Sequence, residues 1–341
     1  MSREPTPPDQ GEPGAPSRPG LRERWGRRPP GVGFWVGSAL LAVYLAAALS
    51  ALFVFRTSPS ALPRNLAWVP PYAPLGPSLN HPFGVLPGFG VDLFQALWQA
   101  TPWDLALVAG ILAIDAGMGC LLGAVAGFNE GGLLDGIITF VGDSFAVIPA
   151  FLFVVIVFAG LTAVAAGSVG LPLFVVVFGL ILWPTTARTV RERARAVAHQ
   201  PFVEAARASG ASPGRILLRH ILPNSLGPVL AQLPIDIAPI FFVLAAFPWY
   251  YNCQAPGGPP ASPLGGGSYL VPSLPPFSPL PSASFPEWGY LLGFGTCEGV
   301  SQPGSFDYWW MYVFPLLAIV VFGIAVGLVC DGLERWRVGD R

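Results

Sequence analysis

Six long, nearly uncharged apolar runs constrain this chain more than any other feature of its sequence. A helix that crosses a bilayer needs roughly 20 mostly apolar residues, and each run is close to or beyond that length. Only 11% of the residues are charged, against about 25% in soluble domains, so we predict an integral membrane protein. The runs lie at residues 34–55, 105–127, 136–160, 169–187, 226–248 and 308–330.

The runs favour helices over strands. Backbone groups find no water in lipid, so a spanning segment must satisfy its own hydrogen bonds. A β-barrel would show alternating polar and apolar residues, whereas these runs are almost solidly apolar. The first run follows a polar leader and is too long for a signal-peptide core, so we read it as a retained helix. The sequence therefore predicts an all-α polytopic membrane protein with six transmembrane helices.

The arginines predict the orientation, because loops on the cytoplasmic side carry an excess of basic residues. Of the 18 basic residues, all of them arginine, six precede residue 33, seven lie in 188–219 and three lie in 335–341. Placing both termini in the cytoplasm puts these 16 inside and leaves only Arg56 and Arg64 outside. We predict that topology in the inner (cytoplasmic) membrane.

Composition divides the chain into three parts. Residues 1–32 are rich in Pro, Gly and charge and are predicted to form a disordered cytoplasmic tail. Residues 33–103 are predicted to hold the first transmembrane helix and an outer loop, and residues 104–335 the main transmembrane domain. Within that domain, 188–225 is the predicted inner loop, and 250–285 is a Pro/Gly-rich outer insertion.

Two of the four cysteines fall in the last outer loop. An oxidising exterior would permit a disulfide between Cys253 and Cys297, and two unrelated thiols remain the alternative. Cys120 and Cys330 lie inside apolar runs, where a cysteine packs as a small apolar residue. The cysteine spacing and the scattered histidines predict no metal site, and we identify no catalytic residue.

The inner loop predicts two short helices. Pro201 suits the first position of a helix, Glu204 lies in its first turn, and Gly210 suits a left-handed stop. Ser212-Pro213 then begins a second helix, which we expect to end at Pro223. A plain connecting hairpin and a docking surface for another protein both fit this pattern.

The motif in this loop resembles the EAA loop of ABC importer permeases. Glu204-Ala205-Ala206 is followed after three residues by Gly210, and after eleven more by Leu222-Pro223. These spacings match that family, although His220 replaces its usual isoleucine. The segment RHILPN, residues 219–224, is similar to the corresponding segment of the dipeptide, oligopeptide and nickel branch of that family.

The resemblance extends over roughly residues 80–341. The departures concentrate in the outer half, where FVLAAFPWYY and the Pro/Gly-rich insertion replace the family pattern. Other matching segments are His81-Pro82-Phe83-Gly84 with Asp92, Gly127-Phe128 with Gly131-Gly132 and Asp135, Asp143 with Pro149, Trp183 with Arg188, Pro286-Glu287-Trp288-Gly289, and Asp331-Gly332-Leu333.

The resemblance implies a type I ABC importer permease fold and a subunit that is not itself an enzyme. The chain contains no GxxxxGK[ST] nucleotide-binding loop, so it binds no cofactor of its own, and ATP with Mg²⁺ would bind a partner ATPase. The implied partners are a second homologous permease, two ATPase subunits, an extracytoplasmic solute-binding protein and membrane lipid, with no nucleic acid. The implied cargo is peptides, with nickel or another small solute as alternatives.

The same resemblance implies roles for the residues of the loop. The EAA helix would sit in a cleft of the ATPase, so that closure of the ATPase pair switches the pore between its two orientations. Glu204 would anchor that helix, Ala205 and Ala206 would permit close approach, and Gly210 would permit the turn. Arg207 would pair with acidic groups on the ATPase, or alternatively remain solvated.

Three aspartates inside the apolar runs keep a second function open. Intramembrane carboxylates are costly and usually face a cavity or a partner, so Asp115, Asp143 and Asp236 are candidates for lining a translocation path. The alternative is hydrogen bonding to neighbouring helices or, for Asp143, placement at a helix end. Two other functions compete with the importer. One is an ion-coupled secondary transporter that uses these aspartates, and the other is a membrane scaffold that transports nothing.

Overall fold

The described part of the chain is almost entirely helical. A computed structural model describes residues 31–54, 76–86, 91–154, 156–157, 171–253, 287–289, 291–293 and 308–339. The long helices are α1 (Val32–Val54), α2 (Leu93–Phe128), α3 (Leu133–Ala146), α4 (Leu171–Ala198), α8 (Gly227–Cys253) and α9 (Trp310–Gly339). The short ones are α5 (Pro201–Ala208), α6 (Pro213–Ile216) and α7 (Leu222–Ser225), with a π-helical turn, Leu217–Ile221, between α6 and α7.

Among the described residues, five helices are long and apolar enough to cross a membrane: α1, α2, α4, α8 and α9. They coincide with five of the six predicted runs. The mostly helical, polytopic character of the described chain is therefore confirmed.

The run at 136–160 differs from the prediction because its described helix is short. Helix α3 ends at Ala146, three residues before Pro149. Proline disfavours helical geometry in the residue before it and has no N–H to donate. The chain turns where Ile148 N–H donates to Phe145 O (3.2 Å), and a new helical turn starts where Phe153 N–H donates to Pro149 O (3.1 Å). One uninterrupted helix over this run was therefore a wrong expectation.

The predicted outer loop up to residue 103 is also corrected, because α2 starts at Leu93 and continues past the boundary between residues 103 and 104. Asp92 caps the helix by accepting a hydrogen bond from Gln95 N–H at 3.0 Å. Its other oxygen lies 2.8 Å from His81 Nδ1. Polar residues in the first turns, such as Gln95, shortened the apolar run and concealed the start of the helix.

Before α2, two strands of two residues each, β1 (Val85–Leu86) and β2 (Val91–Asp92), pair antiparallel. Val85 lies opposite Asp92, and Gly84 precedes them with a φ of 81°. The pairing places His81 within reach of the Asp92 cap. The HPFG segment therefore helps to hold the start of α2.

Two other predicted segments begin with residues that belong to long helices. Residues 188–198 of the predicted inner loop continue α4, and residues 250–253 of the predicted insertion continue α8. The tail at 1–30 and Cys297 lie outside the described residues. Cys253 ends α8, so the predicted disulfide also falls outside the described part of the chain.

The bundle is held together by two apolar clusters. The larger one joins α2, α4, α8, α9 and the segment around Trp288. The smaller one, which we call the elbow core, joins the ends of α2 and α4 to the start of α8 and to the short helices. Helix α2 packs most extensively on α4, and α1 packs on α9.

Candidate functional site

The short helices form an elbow, residues 200–225, at one end of the bundle. Gln200 is the N-cap of α5, and Pro201 is at its first position, as predicted. Gly210 has a φ of 79°, a left-handed conformation that costs residues with a Cβ roughly 1–2 kcal/mol. The predicted glycine stop between the two arms of the elbow is therefore confirmed.

The inner face of the elbow is anchored in the elbow core. Val203 from α5, Ile216 from α6 and Ile221 from the π-helical turn are almost fully buried. Burying such a side chain contributes about 1.5–3 kcal/mol, so the elbow is fixed to the bundle. The residues that receive them are Ala124, Val190, Ala194, Val197, Ala198 and Val229.

An aromatic contact adds a second anchor. The Arg207 guanidinium lies over the Phe128 ring, 5.6 Å from its centroid, within the range of cation–π attraction. Because Phe128 is the last residue of α2, this contact ties the first arm of the elbow to that helix. Pairing with an ATPase and a solvated side chain were the two expectations for Arg207, and neither included this contact inside the chain.

The outer face of α5 carries the start of the EAA motif. Glu204 and Ala205 are exposed, whereas Ala206 is half-buried against the elbow core. Ala206 thus packs partly inward, and the close approach of a partner at Ala205 and Ala206 stays a prediction. The exposed part of the motif consists of one carboxylate beside one small residue.

The second arm of the elbow departs from the predicted simple helix, because Pro223 lies inside α7 and does not end the helix. The backbone widens before it, so that Leu222 N–H donates to Leu217 O, five residues back. Asn224 Nδ2 donates to His220 O at 2.6 Å, and Ser225 Oγ donates to Ile221 O at 2.8 Å. Side chains thus occupy carbonyls that an ordinary helix would bond through its backbone.

An ion-pair ladder fastens α3 and the turn before it to α4. The arginines are spaced by three and four residues, which places them on one face of α4. The pairs are Arg188 with Asp143, Arg191 with Asp135, and Arg195 with Glu130.

The middle rung is the most enclosed. Arg191 donates to Asp135 from Nε at 2.5 Å and from a terminal nitrogen at 2.9 Å, and Gly131 N–H donates to the same carboxylate at 3.0 Å. The Asp135 side chain is 7% exposed. These hydrogen bonds, Arg191 first, hold the pKa of Asp135 below its ordinary value.

The outer rungs are exposed. Glu130 pairs with Arg195, and His199 Nε2 lies 3.4 Å from its carboxylate. Hydrogen bonding from Arg195 and then His199 lowers the pKa of Glu130. Asp143 pairs with Arg188 at 2.6 Å, with both side chains more than half exposed. Since exposed pairs contribute little, the middle rung dominates the ladder.

A stripe of glycines brings the backbones of α2 and α4 into direct contact. A Cβ on Gly119 would lie 2.6 Å from the Thr186 Cβ, closer than real atoms approach. One on Gly127 would meet the backbone oxygen of Arg191. The stripe, Gly119, Gly123 and Gly127, repeats every four residues along α2, so the two helices pack as one rigid pair.

Two of the three predicted pathway aspartates meet. Asp115 of α2 and Asp236 of α8 are buried and lie within hydrogen-bonding reach of each other. Thr186 Oγ1 donates to Asp115 at 3.1 Å, and Gln232 Nε2 donates to Asp236 at 2.9 Å. Asp143 lies apart from them, exposed in the ladder. Within the described residues no group of three His, Cys, Asp or Glu side chains could hold a metal ion.

Apolar helices with an elbow packed at one end define a polytopic membrane protein. Residues 119–265 match the family described as the binding-protein-dependent transport system inner membrane component. That match, together with the permeases of similar sequence described below, supports the resemblance to ABC transporter permeases of the peptide, oligopeptide and nickel family. The five apolar helices and these similar permeases indicate a multi-pass protein of the inner membrane. The resemblance drawn from the EAA motif is confirmed. Such a permease is a transport component and not a catalytic enzyme.

Similar proteins carry peptide-transport names. The dipeptide transport system permease of Alkalihalophilus pseudofirmus is 26% identical over 76% of this chain and 72% of its own length. The glutathione transport system permease of Pectobacterium atrosepticum is 29% identical over the same shares. A Brucella suis protein, named as a candidate peptide transport system permease, is 28% identical over 88% of this chain and 86% of its own length.

Proposed function

We propose that the chain forms half of the translocation pathway of an ATP-driven importer and is coupled to a separate ATPase through its elbow. The fold is that of a type I importer permease with six spans and both termini in the cytoplasm. The elbow supports this proposal most directly, because it presents Glu204 and Ala205 outward while its inner face is fixed in the bundle. A surface of that kind transmits force only if it is rigid, and burial of Val203, Ile216 and Ile221 makes it rigid.

The route of force from the elbow follows from its contacts. The elbow core joins α5 to α2, α4 and α8, and the glycine stripe makes α2 and α4 a rigid pair. The ladder adds α3 to that unit. A displacement of α5 would therefore move these helices together as a rigid body. Gly210 sets the angle between the arms, and Leu222-Pro223 lies where the second arm returns to the bundle.

The proposed complex contains this chain, a second homologous permease, two ATPase subunits that bind ATP with Mg²⁺, and an extracytoplasmic solute-binding protein. Peptides are the proposed cargo, because similar permeases carry peptide, dipeptide and glutathione names. Nickel or another small solute is the alternative cargo.

For the translocation path we propose the Asp115–Asp236 pair, which lies between α2 and α8 and would meet cargo when those helices separate. Asp143 is the weaker candidate, because Arg188 already neutralises it. An ion-coupled transporter built on the same pair is the alternative function, and it predicts uptake that follows an ion gradient without any ATPase.

The test measures association with the ATPase and ATP-driven peptide uptake in the assembled complex. Glu204→Lys reverses the charge on the exposed face of α5, and Gly210→Pro changes the elbow angle, so both should abolish association and uptake. Glu192→Lys, the same charge change on an exposed residue of α4 outside the elbow, is the matched control and should retain both. Unchanged association and uptake in the two elbow variants would refute the coupling role.

A further inference from the structure

A pair of carboxyl groups far from the elbow lacks the partners that buried charges require. Asp104 on α2 is 1% exposed, and Glu287, in the segment between α8 and α9, is 5% exposed. Both oxygens of Glu287 and Oδ1 of Asp104 have no hydrogen-bond partner. A buried carboxylate without a partner is strongly disfavoured, and such a group takes up a proton instead.

Trp288 links the backbone beside Glu287 to the Asp104 carboxyl group. Trp288 N–H donates to Asp104 Oδ2 at 3.0 Å, and Trp288 Nε1 donates to Leu97 O at 3.1 Å. Because Glu287 directly precedes Trp288 in the chain, these bonds fix its backbone beside Asp104. Burial raises the pKa of the Glu287 carboxyl well above its ordinary value, and the Asp104 carboxylate raises it further.

The stretches of sequence that flank the two carboxyl groups carry little positive charge. The sequence contains no lysine, and no arginine or histidine occurs between residues 221 and 334. Between residues 65 and 187 the one basic side chain is His81, which pairs with Asp92. The facing groups are aromatic: rings of Tyr44 on α1, Phe241 on α8 and Phe322 on α9 surround Trp288 at 5.4–5.8 Å. Tyr44, the titratable group among them, already donates its hydroxyl to Ala318 O.

The segment that carries Glu287 is packed closely against α8. A Cβ on Gly289 or Gly293 would collide with Leu244 or Ala245 of α8, so the segment at 287–293 is pressed against that helix. A proton taken from water fits this space, and one shared proton would give both carboxyl groups a hydrogen-bond partner.

We propose that Asp104 and Glu287 form a proton-binding site, in which a carboxylic acid of one residue donates to the carboxylate of the other. The shared proton fastens the segment at 287–293 to α2. This inference concerns a site distinct from the elbow and stands whether or not the elbow binds an ATPase.

The first experiment is infrared difference spectroscopy of the purified full-length chain in detergent at about pH 7, where an ordinary carboxyl group is ionised. Glu287→Gln and Asp104→Asn keep the shape and hydrogen-bonding capacity of the pair but remove its proton. Relative to wild type, each variant should lose the C=O absorption of one protonated carboxyl group. Carboxyl groups elsewhere cancel in the difference. The control Glu192→Gln, at an exposed carboxyl, should lose none, and equal absorption in wild type and both pair variants would overturn the proposal.

The wild-type measurement of the second experiment does not depend on any variant folding. A carboxyl group whose pKa is raised on folding stabilises the protein fully below its unfolded pKa, and that stability is lost as pH rises through the folded value. The apparent Tm of wild type should therefore fall as pH rises above about 4.5, and Glu287→Gln should show a smaller fall. A wild-type Tm that stays constant or rises from there to alkaline pH would contradict a shared proton.

Discussion

Arg191 and Asp135 form a two-bonded ion pair, with N–O distances of 2.5 Å and 2.9 Å, that joins α4 to α3. The backbone oxygen of the same arginine faces Gly127 of α2. One residue of α4 thus contacts two other helices at once. We call this set of contacts, Arg191 with Asp135 and with Gly127, the junction.

Removing the charge of Asp135 should destabilise the chain measurably. Asp135→Asn leaves the Arg191 guanidinium without its carboxylate at a largely buried position, and hydrogen bonds to charged groups contribute about 1.5–3 kcal/mol. We expect a lower apparent Tm in detergent. The control Asp331→Asn breaks the exposed pair with Arg335, and a change well under 1 kcal/mol is expected there. Equal changes in Tm for the two substitutions would show that the buried Arg191–Asp135 pair stabilises the chain no more than an exposed ion pair.

The ladder should also give the protein acid sensitivity. The pKa values of Asp135 and Glu130 are lowered in the folded chain, so their contribution is present above the ordinary values of 3.8 and 4.5 and is lost as pH falls through the folded values. Apparent Tm should therefore fall on acidification below about pH 4.5. Asp135→Asn should flatten part of this fall, and an identical acid profile in wild type and variant would argue against the assignment.

The glycine stripe allows a matched pair of substitutions within one helix. Gly123→Ala adds a methyl group that overlaps the backbone of Ala187, whereas Gly117→Ala adds the same group where nothing lies within 4 Å. Overpacking costs about 1–3 kcal/mol, so thermal stability should fall at position 123 only. Should both variants match wild type, α2 and α4 are not packed backbone to backbone.

The elbow allows a similar comparison. Gly210→Ala places a side chain at a φ of 79° and should cost roughly 1–2 kcal/mol, seen as easier proteolysis of the elbow and weaker ATP-driven uptake. Gly214→Ala, four residues on in α6, meets open space and should leave both properties unchanged. Wild-type behaviour at position 210 would mean that the turn tolerates a side chain and does not set the elbow angle.

Local rules predicted the elements whose causes are local. The apolar runs gave five of the spans, and the residues Pro201 and Gly210 gave the start of α5 and the turn after it. Where Pro223 is concerned, local rules failed, because a π-helical turn and the side chains of Asn224 and Ser225 let the helix continue through the proline.

Contacts between distant segments were the part that the sequence did not predict. The ladder joins residues 45 to 65 positions apart. Its arginines at 188, 191 and 195 were used to predict topology and, at Arg188, the family resemblance, but their ion pairs were not predicted. Asp104 has no signal in the sequence, and Glu287 was noted only within the segment that resembles the family, because only the fold brings residue 287 back to α2. The apolar run at 136–160 was wrongly read as one helix, because hydropathy alone does not register the helix break at Pro149.

Site-specific photo-crosslinking from the outer face of α5 tests the coupling account most directly. A benzoylphenylalanine introduced at the exposed Ala205, in cells that take up cargo through this chain, should form a light-dependent adduct with a subunit whose peptides include a GxxxxGK[ST] loop. The same group at Ala238, which is exposed on α8, should form no such adduct. An adduct with that subunit at both positions, or at neither, would contradict the claim that the elbow is where the ATPase binds.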